Sequence, residues 1–306
     1  MSRTHAKLAI SAALIGLLPA AAAAADPTFF STGDPDGKIA TATRPESDGA
    51  TPKFEIESAD DFILGKKTSI TDATFTGLVT GDIASIGEVR VEIYRVFPAL
   101  SDVGRTSGSP IFSTSQVPTR VNSPSDVELE DRDTASGNLT FTTTDLGSFT
   151  ALNSVQPGGI HPIPAFNTGG NGAITGEEVQ FNITFTTPFT LPADHYFFVP
   201  QVEVTDADGN FFWLSAPRPI SGGTGPFIGD LQSWTRDQFL DPDWLRIGTD
   251  IVGPPAPPPA TQFNASFSLS GSPVPEPSTW AMLLLGFAGL GYAGYRASRR
   301  AAAATA

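Results

Sequence analysis

The sequence predicts an all-β protein folded as a jelly-roll-like antiparallel β-sandwich. Three observations carry that prediction. Segments between residues 26 and 271 alternate apolar and polar side chains with period two, the spacing of half-buried strands. Glycine (30 of 306 residues) and proline (27) are frequent, which suits many short elements joined by turns. No long helical period interrupts the same stretch. A closed barrel is the alternative architecture.

Taken in order, KFEIES (53–58) and SITDATFTGLV (69–79) are strand candidates. GEVRVEIYRVF (87–97) sets Val89, Val91 and Ile93 against Arg90, Glu92 and Tyr94. Residues 98–137 are rich in Ser, Asp and Pro and are expected to form a long excursion, with one helical turn near Ser125-Asp126-Val127-Glu128. NLTFTT (138–143) is a further strand. EEVQFNITFTTPFTL (177–191) sets Val179, Phe181, Ile183 and Phe185 against Gln180, Asn182 and Thr184. HYFFVPQVEV (195–204) and FFWLSA (211–216) flank TDADGN, a hairpin signal. DWLRIG (244–249) is a short strand, GPPAPPPA (253–260) an extended surface loop, and TQFNASFSLSG (261–271) the final strand.

Charge narrows the partners. The formal net charge is −14, and five of the 18 basic residues (Arg3, Lys7, Arg296, Arg299 and Arg300) sit at the two ends, so the body is more acidic still. Such a body repels nucleic acid, and none is expected as a partner. Cysteine is absent, which excludes disulfides, thiolate metal sites and a cysteine nucleophile.

The ends point to export. Residues 1–25 join a basic start (Arg3, Lys7), a short apolar run (Leu8 to Leu18), a helix-breaking Pro19 and an alanine run with small residues for cleavage near Ala24 or Ala25. That is the plan of a secretory signal peptide, with signal peptidase and Sec-type export machinery as partners. At the other end, Trp280 to Tyr295 are sixteen residues without a charge. A helix of that length runs roughly 24 Å, short of a bilayer core of about 30 Å unless Pro277, Ser278 and Thr279 extend it. A transmembrane helix is expected over 279–295, capped by Ser278 or Thr279, with Arg296, Arg299 and Arg300 as a basic stop on the cytoplasmic side. The expected organisation is signal peptide 1–25, sandwich 26–271 and tail 272–306, with 272–277 as linker.

Pro275-Glu276-Pro277, then Ser278-Thr279-Trp280-Ala281, a glycine-rich apolar helix and a terminal arginine cluster resemble the PEP-CTERM sorting signal in its PEPxxWA form. The resemblance covers about 30 residues. It implies that Pro275, Glu276, Pro277, Trp280 and Ala281 form a processing motif recognised by exosortase, a membrane enzyme. It also implies a Gram-negative source that makes extracellular polysaccharide, with transient anchoring in the inner membrane and then a place at the cell surface or in the matrix, released or attached. Phrases of the body (SADDFIL, PFTLPADHYFFV, SWTRDQFLDPDWLRIGTDI) resemble exported β-sandwich proteins carrying the same tail, for which no activity follows.

Chemistry-bearing residues are few. Asp206, Asp208 and Asn210 place oxygens at alternate positions of a turn, as calcium loops do, but without the later bidentate glutamate. Asp60 and Asp61 at a strand end are a second candidate pair for calcium. No cofactor other than calcium is expected. His161 and His195 lack zinc spacing. No GxSxG, GxGxxG or GxxxxGK[ST] occurs. Trp234 and Trp244 lie in loop-like sequence and are the candidates for stacking on sugar rings. The sequence therefore points to an exported, non-enzymatic surface or matrix protein, structural or adhesive in exopolysaccharide. A carbohydrate- or calcium-binding module and a matrix glycan hydrolase are the alternatives.

Overall fold

The computed structural model describes residues 26–48, 51–100, 122–156, 168–218, 220, 233–238, 244–253, 262–275 and 277–304. The expected signal peptide and the loop 254–260 lie outside them. The chain is mostly β, in two sheets, an arrangement consistent with an all-β sandwich.

The larger sheet centres on β4 (Thr68–Thr80). One edge of β4 pairs with β9 (Ile174–Leu191), which pairs in turn with β7 (Leu139–Ala151). Its other edge is shared by β15 (Phe267–Pro273) and β11 (Asn210–Ala216). β1 (Thr28–Ser31) lies on β15, β2 (Ala40–Ala42) and β14 (Asn264–Ala265) on β11, and β8 (Ser154–Val155) on β2. The smaller sheet runs β13 (Leu245–Arg246), β12 (Trp234–Asp237), β3 (Ile56–Ile63), β10 (His195–Val204), β5 (Ile86–Val96), β6 (Pro124–Asp133).

Register turns the period-two pattern into a core. Leu269, Ala73, Ile183 and Phe141 stand opposite one another across β15, β4, β9 and β7, while Ser268, Thr74, Asn182 and Thr142 make the adjacent row. The first row faces the other sheet and the second faces out, because successive strand side chains alternate. From the smaller sheet Phe62, Val91, Ile93 and Phe198 complete the interior. Aromatic rings bridge the sheets: Phe198 stacks on Phe267 at 5.0 Å and meets Trp213 edge-on at 6.0 Å. At Gly77 a β-carbon would lie 2.3 Å from the Phe211 ring, so only glycine permits this closeness of β4 and β11.

Several expectations are corrected. TDADGN does not close a hairpin: β10 belongs to the smaller sheet and β11 to the larger, so the turn carries the chain between sheets. Both strands are buried along nearly their whole length, which suits central positions in different sheets rather than a half-solvated pair. The helical turn near Ser125 is instead β6, an edge strand whose Glu128, Glu130, Asp131 and Asp133 pair with β5 across two register shifts. DWLRIG is only two residues of strand, followed by a π-helical turn, Ile247–Val252. The final segment is two strands broken at Ser266, and β15 runs on to Pro273, so the first two residues of the expected linker, Ser272 and Pro273, are strand. The helix α1 (Pro277–Ala304) starts before residue 279 and continues past the arginines. Pro277 suits the first helical position, where no N–H is needed. No helix among the described residues is long and apolar enough to cross a membrane. The physical reason is length and composition: the uncharged run is only sixteen residues, and four glycines with Trp280, Tyr292 and Tyr295 dilute it.

Candidate functional site: a sorting segment and a buried acid network

The sorting motif lies at the junction of β15 and α1. Val274 N donates to Lys67 O at 2.9 Å, holding the chain to the sheet up to that point. Pro275 is exposed, and so are Trp280 (57%) and Ala281 on the first turns of α1. Glu276 is outside the described residues. Arg296 is exposed and lies over the Tyr292 ring at 5.8 Å; Arg299 and Arg300 are in the helix, and their side chains are outside the description. The described residues of the motif are thus exposed before and along the start of the helix, where a processing enzyme can reach them.

The metal candidates are distributed differently from expectation. Lys53 Nζ donates to the carbonyls of Val204, Asp206 and Gly209 at 2.6, 2.7 and 2.6 Å. An ammonium has three donors, and here three loop oxygens take them. Asp206 Oδ2 accepts from Asp82 N, and Asn210 Oδ1 accepts from Arg44 Nη1 at 2.6 Å. The oxygens that the loop offered to calcium are engaged by cations and amides of the chain itself, and Asp208 is left exposed. Asp60 and Asp61 point to opposite faces of β3. Asp60 accepts from Ser233 Oγ and Ala265 N, whereas Asp61 Oδ2 lies 2.6 Å from His195 Nε2. Adjacent strand residues do not converge on one ion.

Trp234 and Trp244 are buried (1% and 0% exposed). Stacking on a sugar needs a ring face open to solvent, and neither has one. Trp244 Nε1 donates to Ser125 O at 3.1 Å, and the Arg236 guanidinium lies 4.5 Å from the Trp244 ring centre. Arg246 lies 4.9 Å from the Trp234 ring. These rings cover a polar network on the outer face of the smaller sheet.

That network comes from alternation in β3, β5, β10 and β12. Ile56, Ser58, Asp60 and Phe62 lie on the face of β3 towards the core, so Glu57, Ala59 and Asp61 lie outward. β12 sets Arg236 opposite Glu57. β10 sets Val199 opposite Glu92 and Gln201 opposite Arg90. Arg236 grips Glu57 with two nitrogens: Nε donates to Oε2, and Nη2 donates to Oε1 at 2.9 Å. The Tyr94 hydroxyl lies 2.7 Å from Glu57 Oε1 and 3.0 Å from Glu92 Oε2. Glu55, half-buried, accepts from Gln201 Nε2 at 3.0 Å. Oxygens of Glu55, Glu57 and Glu92 lie within 4.8 Å of one another.

Electrostatics sort the three acids. Burial alone would raise Glu57, but the charge and hydrogen bonds of Arg236 hold it below its ordinary value. Glu92 is pushed well above its own, by burial first and the charge of Glu57 second. Glu55 is raised for the same two reasons. The phenol has one proton and gives it to Glu57, the nearer acceptor. Glu92 Oε2, at 3.0 Å, is the more distant acceptor for the same hydroxyl.

The raised Glu92 carboxyl predicts a pH effect in metal-free buffer. Between the ordinary value of 4.5 and the folded value, the folded chain binds more protons at this site than the unfolded chain. The stabilisation is therefore full below 4.5 and is lost as pH rises through the folded pKa. Glu92→Gln, which mimics the protonated acid, is expected to flatten the fall of urea-unfolding stability across that window. An unchanged slope in the variant would remove Glu92 from the account.

Sequence reasoning missed this site, although it had placed Arg90, Glu92 and Tyr94 on the polar face of their strand. Residues 273–300 match the PEP-CTERM protein-sorting motif. No curated protein and no solved structure is similar to the chain. The matched motif implies an exosortase-sorted extracellular protein, handled by the export machinery.

Proposed function

We propose that this exosortase-sorted chain serves outside the cell as a structural or adhesive component of the cell surface or polysaccharide matrix of a Gram-negative bacterium, without catalytic activity. The observation that carries the reading is the sorting motif at residues 273–300, joined directly to the last strand of a β-sandwich. A rigid sandwich with an acidic, hydrated surface suits a scaffold exposed to the medium. Its strand orders support a jelly-roll type: β1-β15-β4-β9 in one sheet and β3-β10-β5-β6 in the other, with the first strand beside the last. Exopolysaccharide is the partner of this reading.

Intact mass of the mature chain, from cells with and without the sorting enzyme, is the test. A product ending near Pro275 to Pro277, formed only with the enzyme, is expected. A product that keeps the arginines of the tail in both strains overturns the surface role. Turnover of the producer's own polysaccharide by the purified protein would overturn the non-enzymatic part.

A further inference from the structure

We propose that Glu55, Glu57 and Glu92, completed by the side-chain oxygen of Gln201, bind a hard divalent cation, calcium in the first instance. Two independent observations converge. The first is the acid cluster itself, whose oxygens lie within 4.8 Å of one another. Calcium–oxygen bonds of about 2.3–2.6 Å put oppositely placed ligands about 4.6–5.2 Å apart, so one ion can touch all three acids. The second is Gln201. Its side chain is fully buried, its Nε2 reaches Glu55, and its Oε1 has no hydrogen-bond partner among the described residues. A buried amide oxygen without a donor is uncommon, and an ion is one of the few things that satisfies it.

The donor set is oxygen only, which suits calcium and disfavours softer metals. Charge leaves room for the ion. Arg236 is committed to Glu57 through two nitrogens. Arg90 lies 3.6 Å from Glu92 but is shared with Glu88 and Asp131. Glu55 has only the neutral Gln201 amide as side-chain partner among the described residues. Being half-buried, Glu55 also marks the side from which an ion enters. Arg236 and the Tyr94 hydroxyl then act as positioning groups that orient Glu57. This site goes beyond the proposed surface role and stands or falls separately from it.

Calorimetric titration of the full chain with calcium chloride, alongside thermal melts in calcium and in chelator, tests the proposal. Saturable binding and a higher Tm in calcium are expected. Glu55→Gln, nearly isosteric and at the rim, is expected to keep the fold by circular dichroism and to weaken calcium at least about tenfold. Asp206→Asn with Asp208→Asn is expected to leave binding unchanged. No saturable binding to the full chain, as a bridging water in place of the ion would give, overturns the site. So does binding that survives Glu55→Gln but is lost in the Asp206/Asp208 variant.

Discussion

Arg236→Met is expected to destabilise the folded chain by about 3–5 kcal/mol, the cost of leaving a buried carboxylate without its partner. Both side chains are almost fully enclosed, so solvent neither screens their attraction nor compensates its loss. The guanidinium also touches the Tyr94 hydroxyl at 3.1 Å and lies 4.5 Å from the Trp244 ring, so lysine is not a conservative replacement. Urea unfolding measures the effect. The double variant Glu57→Gln/Arg236→Met is expected to lose less than Arg236→Met alone, because removing the anion removes the penalty of stranding it. Equal losses in the two variants would mean that packing on Trp244, and not charge, is what Arg236 supplies.

Phe198→Ala is expected to cost about 3–5 kcal/mol through lost burial and a cavity between the sheets. The ring lies nearly parallel to Phe267 (1° between planes), edge-on to Trp213 and 6.3 Å from Phe75. It therefore ties β10 of one sheet to β15, β11 and β4 of the other. The same urea measurement applies, with Leu146→Ala, at a 52% exposed position, as a reference expected to change stability by about 0.5 kcal/mol or less. A loss at Phe198 no larger than the reference would show that the sheets do not depend on this contact.

What was legible in the sequence was local. Phe181 and Ile183 against Asn182 and Thr184, and Phe267 and Leu269 against Ser268, alternate along the chain as they alternate across the sheet, because the pleat has period two. Strands buried on both faces misled. Nothing within residues 195–216 distinguishes a hairpin from a crossing between sheets, since the partner strands β3, β5, β2 and β4 lie far along the chain. The surroundings of the candidate sites were hidden for a related reason. Asp206 and Asn210 have calcium-like spacing, but Lys53 and Arg44, more than 150 residues earlier, reach their loop. Trp234 and Trp244 sit in loop-like sequence, yet the ring faces are closed by arginines and neighbouring strands.

By itself, the sequence determined the strand faces, the acidity and the sorting motif at 273–300, because each is a property of neighbouring residues. Only the tertiary structure decided that the polar face of β3, β5 and β10 is buried. There, Glu55, Glu57, Glu92, Gln201 and Arg236 meet from four strands and their flanks. Period two assigns a side chain to a face of its strand. Whether water or protein lies over that face depends on which distant segments fold across it.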